Sequence, residues 1–323
     1  MLKVAIDAMG GDHSPEEPIR GIKSYLEQFS HENILFYILG NKTKILNLIK
    51  KYDIDENYKI IHTEQEIEMD EKPSEAIKRK NDSSMVKSLK LLRDKKVDAV
   101  ISAGNTGALM LGSSIIVRKI DGVKKVVLAP KIPNKFKNFT LADVGANISL
   151  SPKNYVNIAR LCSTYYKSID PQTNPSIHLL NIGIEKNKGT SNLVEAFSLL
   201  SDCSDINFKG NIEPRNLMNT KLDIVLCDGF TGNITLKMIE GLSQFIINEL
   251  RNNSTLNKDV VKLKKRFDFE LSTLLLGING IVLKCHGSSS RKSFKNAIVE
   301  ANDLFKLDIM RKLNNYFQEV SLT

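Results

Sequence analysis

Five glycine-bearing stretches, each following a short apolar run, hold the residues that could do chemistry. In "AGNTG" (103–107), Gly104 and Gly107 bracket Asn105 and Thr106 where a strand should hand over to a helix. Free N–H groups and the positive end of the helix dipole favour an oxyanion there. Asn and Thr are also good N-caps, so a purely structural role stays open. "CDGFTGN" (227–233) repeats the pattern with Asp228, Thr231, Gly232 and Asn233, and Lys237 lies one turn further along the same helix face. Two such helix starts suit a phosphate, or a transition state that resembles one.

Three more loops add ionisable groups. "DAMGGDHSP" (7–15) carries Gly10, Gly11, Asp12 and His13, with Pro15 able to open a helix. Its spacing is not the dinucleotide fingerprint. His13 could carry a proton or donate to an oxyanion, or Asp12 and His13 could merely cap a turn. "NIGIEKNKG" (181–189) presents Glu185, Lys186 and Lys188 beside glycines, either as chemistry or as a solvated charged loop. "CHGSSSRKS" (285–293) offers His286, Arg291 and Lys292, with a capping histidine as the alternative. There is no GxSxG elbow and no P-loop. Cys285 adjoins His286, but neighbours on a strand point to opposite faces. The set reads as an anion site with polar donors and a few cations, which suits a reaction in which the bound anion is the nucleophile.

These loops need a scaffold that delivers them together. Strand-like runs "KVAI" (3–6), "ILFYILG" (34–40), "YKIIHT" (58–63), "VDAVIS" (97–102), "KVVLAP" (125–130) and "FTLAD" (139–143) alternate with helical patterns at 16–28, around Ile45 to Ile49, at 74–95 and from Thr106 onward. The alternation continues with a helix at 152–167, "SIHLLNIG" (176–183), a helix at 190–201, "LDIVLCDG" (222–229), a helix at 231–250, "NGIVLKCHG" (279–287) and helices to the end. This predicts an α/β fold with a mainly parallel sheet covered on both faces. Ligands in such sheets bind outside the carboxyl ends of the strands, where all five loops fall. The expected division is a first lobe over 1–150 and a second over 151–289. Helices from about 290 to 323 should return to the first lobe, and the two Asn/Thr/Gly loops, one per lobe, should flank a cleft.

The 323 residues suffice for one large core or two packed lobes, and 41% hydrophobic with 26% charged residues is ordinary for a globular protein. The net charge of +9 would attract nucleic acid, anionic lipid or an acidic protein, unless the scattered lysines only reflect a skewed composition. With no Trp and no basic–aromatic interleaving, nucleic acid is disfavoured. Cys162, Cys203, Cys227 and Cys285 lack metal or disulfide spacing and read as core or incidental thiols. No apolar run approaches the ~20 residues of a membrane helix, and the N-terminal stretch lacks a signal-peptide core, so a cytoplasmic protein is expected.

Taken in order, "IDAMGGDHSP", "KPSEAIKRKNDSSM", "ISAGNTGALM", "LADVGAN", "LLNIGIEKNKG", "FKGNIEPR", "CDGFTGNITLKMIEG", "LLGINGIVLKCHGSS" and "KNAI" span residues 6–298. Together they resemble the bacterial acyl-acyl carrier protein:phosphate acyltransferase family (PlsX) over nearly the whole chain. The resemblance implies a three-layer α/β/α sandwich of the isocitrate-dehydrogenase and phosphotransacetylase type, usually a homodimer, with no metal or nucleotide cofactor. It implies that inorganic phosphate attacks the thioester of a long-chain acyl carrier protein, giving acyl phosphate for phospholipid synthesis. On that reading Lys188 and Asn233 are the leading catalytic pair and His13 completes them. Gly104, Asn105, Thr106, Gly107, Asp228, Thr231, Gly232, Lys237 and His286 would hold phosphate or substrate.

One segment departs from the family, which usually carries a Gly-Gly-Ala-Pro stretch before "LLG"; here 269–277 reads "FELSTLLLG". Upstream, "LNKDVVKLKKRF" (256–267) places Lys262, Lys264, Lys265 and Arg266 among apolar residues. It is a candidate contact for anionic lipid or the acidic carrier protein, or else a solvated helix at a dimer surface. Two further readings compete: a phosphotransacetylase acting on acyl-CoA, and a non-catalytic lipid- or carrier-protein-binding protein.

Overall fold

The computed structural model describes residues 1–29, 33–253, 261 and 272–321. The chain divides into two units, one of Met1–Val126 with Glu270–Thr323, the other of Val127–Phe269. The divisions fall near 126 and 270, whereas the sequence suggested about 150 and 290. The difference has a plain origin in strand pairing. The strand at Phe139–Ala142 pairs with Ile224–Leu226 of the second unit, and the strand at Ile281–Lys284 pairs with Ala99–Ser102 of the first.

The first unit holds β1 (Leu2–Asp7), α1 (Glu16–Gln28), β2 (Ile34–Gly40), α2 (Lys42–Lys51), β3 (Tyr58–His62), α3 (Pro73–Arg79), α4 (Ser84–Arg93), β4 (Ala99–Ser102) and α5 (Thr106–Gly112). A π-helical turn, Ser113–Val117, extends α5. The strands β1, β2 and β4 are almost wholly buried apolar runs, as expected for parallel strands covered on both faces. The single helix expected over 74–95 is two. The polar stretch Lys80–Ser83 interrupts the apolar spacing between Ile77 and Met85, and there Ser83 accepts from the Val86 N–H (3.3 Å) and caps α4 afresh.

The second unit begins with the short strand β5 (Val127–Ala129), then β6 (Lys131–Ile132), β7 (Phe139–Ala142), α6 (Pro152–Ile169), β8 (Ser176–Leu180), α7 (Ser191–Ser201), β9 (Asn207–Ile212), β10 (Ile224–Leu226) and α8 (Gly229–Asn253). Its sheet runs β6-β7-β10-β8-β9, parallel except for β6 against β7. The chain then completes the first unit with β11 (Thr273–Leu276), β12 (Ile281–Lys284), α9 (Arg291–Lys306) and α10 (Ile309–Ser321). The first unit's strands lie in the order β3-β2-β1-β4-β12-β11, with only β11 antiparallel. The α/β class and mainly parallel pairing hold, distributed over two sheets rather than one.

The atypical segment acquires a clear role within its described part, 272–277. Leu274, Leu275 and Leu276 are buried as β11, hydrogen-bonded to β12, so the apolar residues that stand in place of a small-residue stretch form a strand. Helix α9 packs on α1 and returns the C-terminal region to the first unit. All four cysteines are free thiols, three of them buried. Among the described residues, no helix is long and apolar enough to cross a membrane.

Candidate active site

In the first unit, β1 and β12 flank β4 in parallel register, so their carboxyl ends emerge side by side. Asp7, the last residue of β1, is the hub and is 1% exposed. Its carboxylate accepts from Ser84 Oγ at the start of α4 (2.5 Å) and from Ser102 Oγ at the end of β4 (2.6 Å). Ser102 Oγ accepts in turn from the Gly104 N–H (3.1 Å). Burial pushes the Asp7 carboxyl up, against the opposing pull of the two hydroxyls and of the Met9 and Gly10 backbone. The Asp12 N–H donates to the Gly287 carbonyl (2.8 Å), tying the loop after β1 to the loop after β12.

The expected residues of this unit take distinct places. His13 is exposed, and its backbone carbonyl accepts from the Glu17 N–H as α1 begins (3.1 Å). Asn105 is buried and its amide is fully engaged. Its Oδ1 accepts from the Ala108 N–H (3.0 Å), capping α5, and its Nδ2 donates to the carbonyls of Met69 and Glu71 (both 3.0 Å) and Glu68 (3.3 Å). Asn105 therefore positions the 68–71 loop over the helix start. Thr106 and Gly107 are half-buried and Gly104 is buried. His286 is exposed, and its Nδ1 accepts from the Ser288 N–H (3.3 Å) and lies 2.9 Å from Ser288 Oγ, the geometry of a turn cap.

The second unit repeats the plan. Asp143, just after β7, is 0% exposed. Its Oδ1 accepts from the N–H groups of Leu128 (3.0 Å) and Ala146 (3.1 Å), and its Oδ2 from the Asn147 N–H (2.6 Å) and Nδ2 (3.0 Å). Burial raises the Asp143 carboxyl, and these four donors oppose the rise. Asp228 Oδ1 accepts from the Thr231 N–H (2.8 Å), so Asp228 caps the start of α8. Gly232 packs directly on the Asp143 peptide; an added Cβ would stand 1.8 Å from that carbonyl oxygen. This contact fixes where the next residue, Asn233, leaves the helix start, half-buried. Thr231 and Lys237 are exposed on the same helix.

Lys188 lies in the loop after β8, which is the parallel neighbour of β10, so Lys188 and Asn233 follow adjacent strands at one edge of one sheet. Asn181 holds that loop: its Nδ2 donates to the Lys188 carbonyl (3.0 Å) and its Oδ1 accepts from the Ile182 N–H (2.8 Å). Gly189 closes the turn with φ +92°, a conformation open to glycine. The Lys188 side chain is exposed. Lys262, Lys264, Lys265 and Arg266 lie outside the described residues.

Three polar residues with central positions were missing from the expected set: Asp7, Asp143 and Lys284. Each ends or follows a buried strand. The signal was a single charged residue closing an otherwise apolar run, as in "IVLK".

A family model described as "Fatty acid synthesis protein" matches residues 2–312. A phosphate acyltransferase of Clostridium perfringens (strain ATCC 13124) is 38% identical over 327 residues, 97% of this chain and 96% of its own. One from Caldicellulosiruptor saccharolyticus is 37% identical over 330 residues, 97% of each. Among solved structures, a phosphotransacetylase from Streptococcus pyogenes superposes with a TM-score of 0.64 at 16% identity, covering 94% of both chains. A branched-chain phosphotransacylase from Enterococcus faecalis gives 0.59 at 14%, covering 94% of this chain and 98% of its own. These structural likenesses concern the fold.

Proposed function

Because the chain belongs to the phosphate acyltransferase family, we propose that it transfers a long-chain acyl group from acyl-acyl carrier protein to inorganic phosphate, giving acyl phosphate for phospholipid synthesis. The observation that carries this reading is likeness at 38% identity over nearly the full length of enzymes so named. The loops are consistent with it, since each unit ends its strands in a hydrogen-bonded cluster of small residues and polar donors.

In the proposed step a phosphate oxygen attacks the thioester carbonyl carbon. The new C–O bond forms, the carbonyl oxygen takes the negative charge, and collapse breaks the C–S bond to release the carrier thiolate, which takes a proton. Asn233 and Lys188 stand at one sheet edge. We assign them to orienting phosphate and stabilising the oxyanion. His13, Thr106, Gly104 and Gly107 would complete phosphate and substrate binding. Asn105, its amide engaged, would act by holding the loop, and His286 by capping one. Asp228, Thr231, Gly232 and Lys237 would set the α8 start against the substrate.

The enzyme would work in the cytoplasm as a homodimer, with 256–267 as its contact to anionic membrane or carrier protein. Helix α8 supports self-association. Phe230, Ile234, Met238, Leu242 and Phe245 recur along it at three- and four-residue steps, all exposed, with Met238 at 66%.

The decisive experiment measures thiol release from palmitoyl-acyl carrier protein with and without inorganic phosphate, trapping acyl phosphate with hydroxylamine. Phosphate-dependent release is the expected result. Release from palmitoyl-CoA alone would move the assignment to a phosphotransacetylase, and release from neither donor would leave a binding role.

A further inference from the structure

We propose that the buried ammonium of Lys284 is the cation of an oxyanion subsite within the first unit, where the loops after β1, β4 and β12 meet, and that it takes a tetrahedral dianion such as inorganic phosphate. Lys284 closes β12 opposite Ser102 of β4 and is only 7% exposed. Lysine is almost never buried so completely unless it is paired. Its Nζ donates to the Ala103 carbonyl (3.2 Å) and to the Cys285 carbonyl, the first residues beyond β4 and β12. An ammonium has three N–H donors, and these two neutral acceptors leave one N–H and the net charge uncompensated. Among the described residues no carboxylate lies within ion-pair distance of it. A buried cation with no counter-ion in contact is costly to keep, and an arriving anion offsets that cost.

The charged and titratable groups around it do not supply the missing partner at contact. Asp7 on β1 and Asp12 in the following loop act on Lys284 through space, and the adjoining Cys285 thiol is pushed up by burial to about 12. Glu300 of α9 bears on Cys285 rather than on the lysine. Desolvation dominates and lowers the Lys284 ammonium to about 8. A lysine that only pinned two carbonyls would fit the same hydrogen bonds but would show no response to anions, and this separates the two roles.

The test is direct binding of inorganic sulfate by titration calorimetry, without any acyl donor. Sulfate keeps its charge through neutral and alkaline solution, so any change of affinity belongs to the protein. Binding should weaken about tenfold for each pH step above about 8, reaching roughly 30-fold by about pH 9.5. Lys284→Met should bind at least about tenfold more weakly at neutral pH and lose this profile, while Lys284→Arg should keep binding with the profile flattened. The comparison with Lys284→Met separates Lys284 from His13, His286, Arg291 and Lys292 in the same loops. Unchanged binding by Lys284→Met overturns the proposal. If neither variant folds, the wild-type profile decides, and affinity that stays flat in alkaline solution overturns it. That phosphate is the working occupant rests on the acyl-transfer reading. Sulfate binding as described without phosphate-dependent thiol release would uphold the subsite and refute that reading.

Discussion

Gly232→Ala puts the Asn/Thr/Gly helix start to a direct test, because a second glycine in the same helix supplies the control. A Cβ at 232 would lie 1.8 Å from the Asp143 carbonyl oxygen and 2.8 Å from Cys227 Sγ. The first distance is about 1.5 Å short of ordinary contact. The obstructing atom is backbone, so no rotamer change relieves it. Overpacking of this kind costs roughly 1–3 kcal/mol or more. With an immovable backbone atom the upper figure of about 3 kcal/mol applies, and alanine regains about 1 kcal/mol of helix propensity, leaving a net loss of about 2 kcal/mol. Gly241, also in α8, is exposed with nothing within 4 Å of an added Cβ. Gly241→Ala should therefore gain up to about 1 kcal/mol. The two variants differ by about 3 kcal/mol, a separation of roughly 6–12 °C in melting temperature for a unit of this size. Displacing the helix start by about 1 Å should also cost on the order of 10²-fold in phosphate-dependent thiol release, since Gly232 lies between Thr231 and Asn233. Circular dichroism melts and the thiol assay read both effects. Equal melting temperatures with full turnover in Gly232→Ala would show that the close approach to Asp143 does not position the site.

Asn233→Ala should leave the melt nearly unchanged and lower turnover by ~10²–10³, as expected for loss of an oxyanion donor; near-normal turnover would remove Asn233 from that role. Asp143→Asn turns an amide NH2 toward N–H donors that a carboxylate now accepts, and should cost about 2–3 kcal/mol in a denaturant titration, with no dependence on substrate. Met238→Glu together with Phe245→Glu should convert a dimer to monomer in sedimentation equilibrium without lowering the melting temperature of the monomer; a species of unchanged mass would place the dimer contact elsewhere. For Lys284 the folded-state value, about 8, lies below the usual lysine value, so the unfolded chain binds more protons between about pH 8 and 10.5. Stability relative to Lys284→Met should therefore rise with pH across that window, by about 3 kcal/mol in anion-free buffer; a constant difference would contradict the burial argument.

The parts of this molecule that could be read from sequence are those in which one residue type has one physical use. Buried parallel strands such as Ile34–Gly40 are continuous apolar runs, and α1 shows its apolar spacing from Glu16 to Gln28. Strand β9, "NFKGNI", was not legible. It is a sheet edge beside β8 with four of its six residues not buried, so Lys209 and Gly210 are tolerated where a central strand would exclude them. The break within 74–95 is hard to see because apolar positions resume at Met85 and Val86 after the polar stretch Lys80–Ser83, and the Ser83 cap looks like any surface serine. The unit boundaries failed to appear for a related reason: which strand pairs with β4 or β10 is a long-range choice that local composition does not encode.

The candidate site divides along the same line. Glycine beside Asn, Thr and Lys marks a loop near a strand end, and the five loops were legible on that basis. The groups that organise those loops were not, because Asp7, Asp143 and Lys284 carry ordinary residue types whose meaning comes from burial. An aspartate at the end of a strand is unremarkable in water. At 0–1% exposure, with four donors converging on Asp143 and two serines on Asp7, it becomes the fixed point from which neighbouring loops are hung. Lys284 is the converse case, a buried donor whose hydrogen bonds leave charge over. Two acids satisfied by the protein itself tie the loops to the strand ends. One base not satisfied by it is the feature that points outward, to a ligand.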